Sequence, residues 1–188
     1  MRNAISYSLF GDPDSFEFGF YFRGVYFNAR MNAILYPDFE TVIHVSSDLF
    51  EKFDKFWLAL SVMDNRIHIY DAGPHKQRCE SMLWRFKPMF SSTVWDYVLC
   101  RDLDSVSTYR EACLVYGWLS GNKYYHAIND NDAHGGLMGG LVGFWVEGFR
   151  LATGFNTFEE LIGKADLRHH GSDQHLMNKV ILPKIKDA

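Results

Sequence analysis

Residues 97–105 read Tyr-Val-Leu-Cys-Arg-Asp-Leu-Asp-Ser. Residues suited to a buried strand run directly into Arg101-Asp102-Leu103-Asp104. Side chains alternate along a strand, so at its end residues 102 and 104 project to one side and Leu103 to the other. Two carboxylates on one side can share a hard divalent cation such as Mg²⁺ or Mn²⁺. Such a cation prefers oxygen ligands and keeps positions open for phosphate and water. A turn in which Asp102 pairs with Arg101 or caps the next helix suits the same residues, so the motif alone leaves both readings standing.

Working outward, strand-like and helix-like segments alternate. Ala4–Leu9 reads as a first strand, closed by Gly11-Asp12-Pro13. Phe27, Met31, Ile34 and Leu35 recur at helical spacing until Pro37. Thr41–Val45 is a second strand, followed by a helix that Asp48 and Glu51 would cap. Arg66–Tyr70 is a third strand, a helix around Glu80–Phe86 precedes Pro88, and Val94–Cys100 is a fourth strand. Thr108 and Glu111 form a capping box for a helix ending at Gly121, and Tyr124–Ile128 is a fifth strand. A glycine-rich segment and a helix near Asp173–Val180 close the chain. This alternation predicts an α/β fold with a mainly parallel sheet and helices on both faces. Ligands of such sheets bind beyond the carboxyl ends of the strands, where Asp102 and Asp104 fall.

Composition excludes several classes. The formal charge is −4 with no lysine-arginine block, which argues against a nucleic-acid partner. Cys79, Cys100 and Cys113 lack C-x-x-C spacing, so a disulfide framework or zinc knuckle is not expected and a reducing, cytoplasmic setting is. The N-terminus has too short an apolar run for a signal peptide. The longest uncharged glycine-apolar run, Gly135–Val146, has 12 residues and cannot span a bilayer as a helix. No linker divides the 188 residues, so one domain is expected.

The stretch from Trp84-Arg85-Phe86 through Arg101-Asp102-Leu103-Asp104-Ser105, Arg110-Glu111, Trp118-Leu119-Ser120-Gly121, His126 to Asp130, His134 and the glycine pairs resembles a family of glycosyltransferase-like proteins with the GT-A fold. The likeness extends upstream through residues 6–11 and 28–39, and downstream to Ser172-Asp173-Gln174-His175-Leu176-Met177-Asn178. It departs at Asn129, where relatives often carry arginine, and at Val106-Ser107, where a basic residue is common.

The resemblance implies a GT-A-like domain over residues 1–188. Residues to about 107 would bind the nucleotide sugar, and those from about 108 would face the acceptor. It implies a nucleotide-diphosphate-sugar donor, a saccharide or glycoconjugate acceptor, Mn²⁺ or Mg²⁺, and transfer of a hexosyl or deoxyhexosyl group. Asp104 would be the direct metal ligand, and Asp102 would sit beside ribose and the metal. His170, or its neighbour His169, would complete the metal site. Arg85 would neutralise the diphosphate or orient Asp102, a buried structural ion pair being the other reading.

Ser105 would bond the acidic loop or cap the next turn. Ser8 and Phe10 lie where this fold grips the base, with Tyr7 the other aromatic there. His134 and the glycines around Gly139 would let backbone approach the sugar. Asp130, with Asp132 nearby, falls on the acceptor side. Asp173 would face the sugar or serve as general base, beside Gln174 as a sugar-positioning group, unless it only caps the last helix.

Two other functions suit parts of the pattern. An apolar strand followed by D-x-D-x-V also resembles haloacid-dehalogenase-like phosphohydrolases, where the first aspartate is a nucleophile. The motif normally closes an early strand, and no clear downstream lysine with an acidic pair is present. A non-catalytic sugar-nucleotide-binding protein is the third reading.

Overall fold

The computed structural model describes residues 1–129, 136–168 and 171–187. One six-stranded sheet organises them. Its strands are β1 (Asn3–Leu9), β2 (Phe39–Val45), β3 (Ile67–Asp71), β4 (Tyr97–Arg101), β5 (Tyr125–Ala127) and β6 (Leu141–Trp145), in the order β3-β2-β1-β4-β6-β5. The first four run parallel, and β6 lies antiparallel between β4 and β5. The sheet is therefore mixed. The five strands read from the sequence are present with shifted ends, and the sixth, Leu-Val-Gly-Phe-Trp, sits where only a glycine-rich segment was expected. Gly143 interrupts its apolar pattern because a side chain there would collide with Leu99 and Trp118.

Strand alternation divides the core in two. Ile5, Tyr7 and Leu9 turn to one face, where they meet Phe18 and Val25 of α1 (Phe16–Leu35), Trp57 and Leu60 of α3 (Asp54–Met63), and Ala112 and Val115 of α5 (Tyr109–Leu119). The short α2 (Ser47–Lys52) precedes α3. Ala4, Val98 and Cys100 turn to the other face. That face is covered by α4 (Arg78–Met82) with the 3-10 segment Leu83–Phe90, by α6 (Val146–Thr153) and α7 (Phe158–Ile162), and by a C-terminal helix. The last begins as α8 (Ser172–Leu176), passes through a π-helical stretch Met177–Ile181 and ends as α9 (Leu182–Ile185).

Several local expectations change. Asp48 does not cap: Ser46 holds the N-cap position of α2, and Asp48 stands in the first turn. Thr108 Oγ1 accepts from Glu111 N at 3.2 Å, but the Glu111 carboxylate turns to Arg101, so the box is half closed. The reciprocal box lies at Thr157 and Glu160 on α7, a helix not expected from the sequence. Pro88 sits inside the 3-10 segment rather than beyond a helix end. β4 begins at Tyr97, leaving Val94 exposed in the preceding loop. Among the described residues, no helix is long and apolar enough to cross a membrane.

Candidate functional site

The chain leaves β1 for β2 and β3 on one side, then returns to place β4 on the other side of β1. The loops beyond the carboxyl ends of β1 and β4 therefore part, as they must where strand order reverses. A cleft of about 420 Å³ opens there. Ser8 and Leu9 of β1 with Phe10 just beyond it, the N-cap Ser15 with Phe18 and Tyr21 of α1, His75, Arg78 and Met82 from α4 and its approach, Arg85, and Asp102-Leu103 line it.

β4 ends at Arg101, and residues 102–105 form a turn in which Ser105 N donates to Asp102 O at 3.4 Å. Strand alternation thus stops one residue before the first aspartate, which corrects the expectation that residues 102 and 104 share a side by alternation. Asp102 turns to Arg85, Leu103 is buried in the other core half, and Asp104 is exposed near Tyr21 of α1. The two carboxylates still feel one another. Partial desolvation and then the charge of Asp102 raise the Asp104 carboxyl above its ordinary value, while a backbone hydrogen bond at Asp104 and the charge of Arg85 oppose this.

Arg85 is the centre of the ionic part. Its guanidinium is 2% exposed and bridges two carboxylates: Nη1 donates to Asp102 Oδ1, and Nη2 donates to Asp173 Oδ2 at 2.9 Å. Burial pulls the guanidinium down, but Asp102 and Asp173 together outweigh it and hold it above its ordinary value. Gly139 and Gly140 make room for this arrangement. A Cβ on Gly139 would stand 2.7 Å from Asp173 Oδ2, and one on Gly140 would collide with Asp102 Oδ2. Ser8 Oγ accepts from Arg85 N at 2.9 Å and donates to Met82 O at 3.3 Å, so it ties the end of β1 to the segment that carries Arg85.

Arg101, one residue from Asp102, does different work. Nε donates to Glu111 Oε1 at 2.5 Å, and Nη1 donates to the carbonyls of Cys100 and Val142 at 2.8 Å each. It fastens β4 to α5 and β6. Burial pushes the Cys100 thiol up to about 12, so it is no nucleophile.

The other face of the acidic turn rests on amides of α1. Asn28 Nδ2 donates to Leu103 O at 3.1 Å and to Gly24 O at 3.0 Å, while Asn28 Oδ1 accepts from Ser107 N at 3.4 Å. Asn32 Nδ2 donates to Tyr7 Oη at 3.0 Å and Thr41 Oγ1 at 3.1 Å, and its Oδ1 accepts from Ser107 Oγ at 3.2 Å. Gly24 is required because α1 presses on the Leu103 carbonyl, where a Cβ would collide. Reading residues 27–35 for apolar spacing missed Asn28 and Asn32. The signal was two buried-face amides one helical turn apart.

The structure thus brings Ser8, Phe10, Arg85, Asp102 and Gly139 to one place, while Asp104 lies near Tyr21 and Asp102 but is absent from the cleft lining. Phe10 stacks on His75 at 4.9 Å and meets Trp84 edge-on at 6.0 Å, whereas Tyr7 is wholly buried. Asp173 is buried against Arg85 and absent from the cleft lining, Gln174 Nε2 points to Met138 Sδ at 3.1 Å, and Ser105 is exposed. Asp130, Asp132, His134, His169 and His170 lie outside the described residues. His75, Arg78 and Tyr21 were not foreseen, since nothing in their local sequence marks them.

The donor set suits a hard cation. Asp102 and Asp173 share the single Arg85 guanidinium, so this cluster keeps one negative charge, and Asp104 stands exposed two residues beyond Asp102. Mg²⁺-type sites commonly need only one or two carboxylates, the rest coming from phosphate and water. Among the described residues, no group of three or more histidines, cysteines, aspartates or glutamates forms a ready-made metal cage. Comparison with known proteins finds no matching family model and no matching curated protein.

Proposed function

We propose that the chain is a metal-dependent glycosyltransferase of GT-A-like architecture that takes a hexosyl or deoxyhexosyl group from a nucleotide-diphosphate sugar to a saccharide or glycoconjugate acceptor. One observation carries this reading: the cleft at the reversal of strand order has Asp102 in its wall, with Asp104 two residues on and close to the lining residue Tyr21. Its volume falls in the range of small-molecule sites. A mixed α/β sheet with four parallel strands is compatible with that architecture.

In this reading Asp104 and the cleft side of Asp102 hold Mn²⁺ or Mg²⁺. Bound there, the cation would offset the charge that develops on the departing nucleoside diphosphate. The chain's own residues do the positioning. Arg85 fixes Asp102 through Oδ1, and Asp173 fixes Arg85 in turn, so Asp173 acts through another residue rather than on substrate. Arg78 supplies a cation on the lining, and the start of α1 presents the positive end of a 20-residue helix. Phe10 and His75, stacked on each other, place two rings on the lining that a planar base could meet.

Titration calorimetry with a panel of nucleoside diphosphates tests the reading. Binding is expected with Mn²⁺ or Mg²⁺ and not with chelator, and Asp104→Ala is expected to abolish it. Unchanged binding in that variant overturns the metal role. A fluoroberyllate adduct on Asp102 instead supports the phosphohydrolase. Donor binding without transfer to any acceptor supports the non-catalytic protein.

A further inference from the structure

Helix α1 is apolar on both sides. Phe18, Val25 and Ala29 are buried against the sheet. Facing away are Phe16, Phe20, Phe27 and Ile34, respectively 81%, 52%, 53% and 67% exposed. Their spacings of four, seven and seven residues place them on one stripe. A helix apolar all round is normally covered on every side, and a contiguous exposed apolar surface marks a docking face. Arg23 and Arg30 stand within this stripe, three residues after Phe20 and Phe27. Among the described residues neither has an ion-pair partner, and the Arg23 guanidinium lies 5.9 Å from the Phe20 ring. Glu17, the helix's single acid, lines the cleft.

We propose that this outer face of α1 docks on an anionic lipid surface. Aromatic rings and arginines sharing one helix face suit the boundary between headgroups and acyl chains, where rings enter and guanidinium groups remain at the phosphates. The charge is complementary. The chain as a whole carries −4, yet the exposed stripe of α1 carries Arg23 and Arg30. The same cations oppose a second copy as occupant, because a two-fold contact through this stripe sets like charges against each other. The helix has 20 residues but is interrupted by Glu17, Arg23 and Arg30, and it does not qualify as a span. It lies on the surface. The docking does not depend on what occupies the cleft.

Co-sedimentation with phosphatidylcholine vesicles, with and without phosphatidylserine, is the test. The full chain is expected to sediment with the phosphatidylserine vesicles and to be released by salt. Arg23→Gln with Arg30→Gln is expected to weaken binding by about thirtyfold. Phe20→Ser with Phe27→Ser is expected to weaken it by at least about tenfold. Both pairs are exposed, so circular dichroism should show an unchanged fold. Failure of the wild-type chain to sediment with phosphatidylserine vesicles overturns the proposal, as does binding equal on both vesicles and indifferent to the arginines. A concentration-dependent dimer that is lost in the phenylalanine variant also overturns it, in favour of self-association.

Discussion

The turn that carries Asp102 and Asp104 is held from the two faces of the sheet by opposite chemistry. On one face, α1 offers neutral amides: Asn28 and Asn32 bond Leu103, Ser107, Tyr7 and Thr41. Burial pushes the Tyr7 phenol up to about 12, so that network holds no charge at neutral pH. On the other face, Arg85 bridges Asp102 and Asp173 as a charged and lopsided cluster. The neutral side can be closed, donor to acceptor, and then left alone. The ionic side cannot, since its carboxylates outnumber its guanidinium. A stable scaffold would match its charges, and the unmatched side is the one open to the cleft. The difference separates support from chemistry within one short turn.

The largest expected effect comes from Arg85. Arg85→Met leaves two neighbouring carboxylates without their cation and is expected to cost about 3–5 kcal/mol in urea denaturation. Adding Asp102→Asn and Asp173→Asn should restore much of that loss, because the cost lies in stranded charge rather than in lost packing. If the triple variant is no better than the single one, the contrast between the two faces fails.

Asn32→Ala comes next. It leaves the Tyr7 hydroxyl, Thr41 and Ser107 short of partners and is expected to cost about 2–3 kcal/mol by the same measurement. Charge plays no part, so the cost should not change with salt.

Gly24→Ala sets two magnitudes against each other. Alanine gains about 1 kcal/mol of helix propensity over glycine. Its Cβ would collide with the Leu103 carbonyl, and forcing atoms into a packed contact costs about 1–3 kcal/mol. Because the opposing atom is a backbone oxygen, the cost falls at the upper end of that range and the contact is expected to win, with a net loss of about 2 kcal/mol and weaker nucleotide binding as the turn shifts. A stabilised variant would show that α1 does not press on the turn.

The ionic side was far more legible in the sequence than the neutral one. Asp102, Asp104 and Arg85 are charged residues beside apolar ones, and Asp173 opens the last helix in a run of polar residues. Which one pairs with which was not encoded locally: Arg85 and Asp173 are 88 residues apart, and the meeting depends on α8 reaching the 3-10 segment. Asn28 and Asn32 were invisible to apolar periodicity, since their value arises from Leu103 and Ser107, some 75 residues on. The same holds for β6. Parallel strands announce themselves by alternation with helices, but the direction of a five-residue strand containing Gly143 depends on where the chain turns back.

The smallest effect on stability should be at Asp104, and its sign is the informative part. Partial desolvation and the charge of Asp102 raise its carboxyl in the folded chain, so the native state holds that proton more tightly than the unfolded one. The charged form therefore opposes folding. Stability from this group is present below the ordinary carboxyl value and is lost as pH rises through the raised one. Asp104→Asn removes that loss. The variant is expected to match the wild type in acid and to exceed it slightly at neutral pH, by less than about 0.5 kcal/mol because the side chain is exposed and screened. Urea denaturation at the two pH values measures this, with Mn²⁺-dependent binding of a nucleoside diphosphate followed in parallel. Binding should disappear in the variant that folds slightly better. A residue kept at the expense of stability and needed for a ligand is the pattern of a functional position. An Asp104→Asn chain less stable than wild type at neutral pH would instead place Asp104 with Asn28 and Asn32 among the supports of the turn.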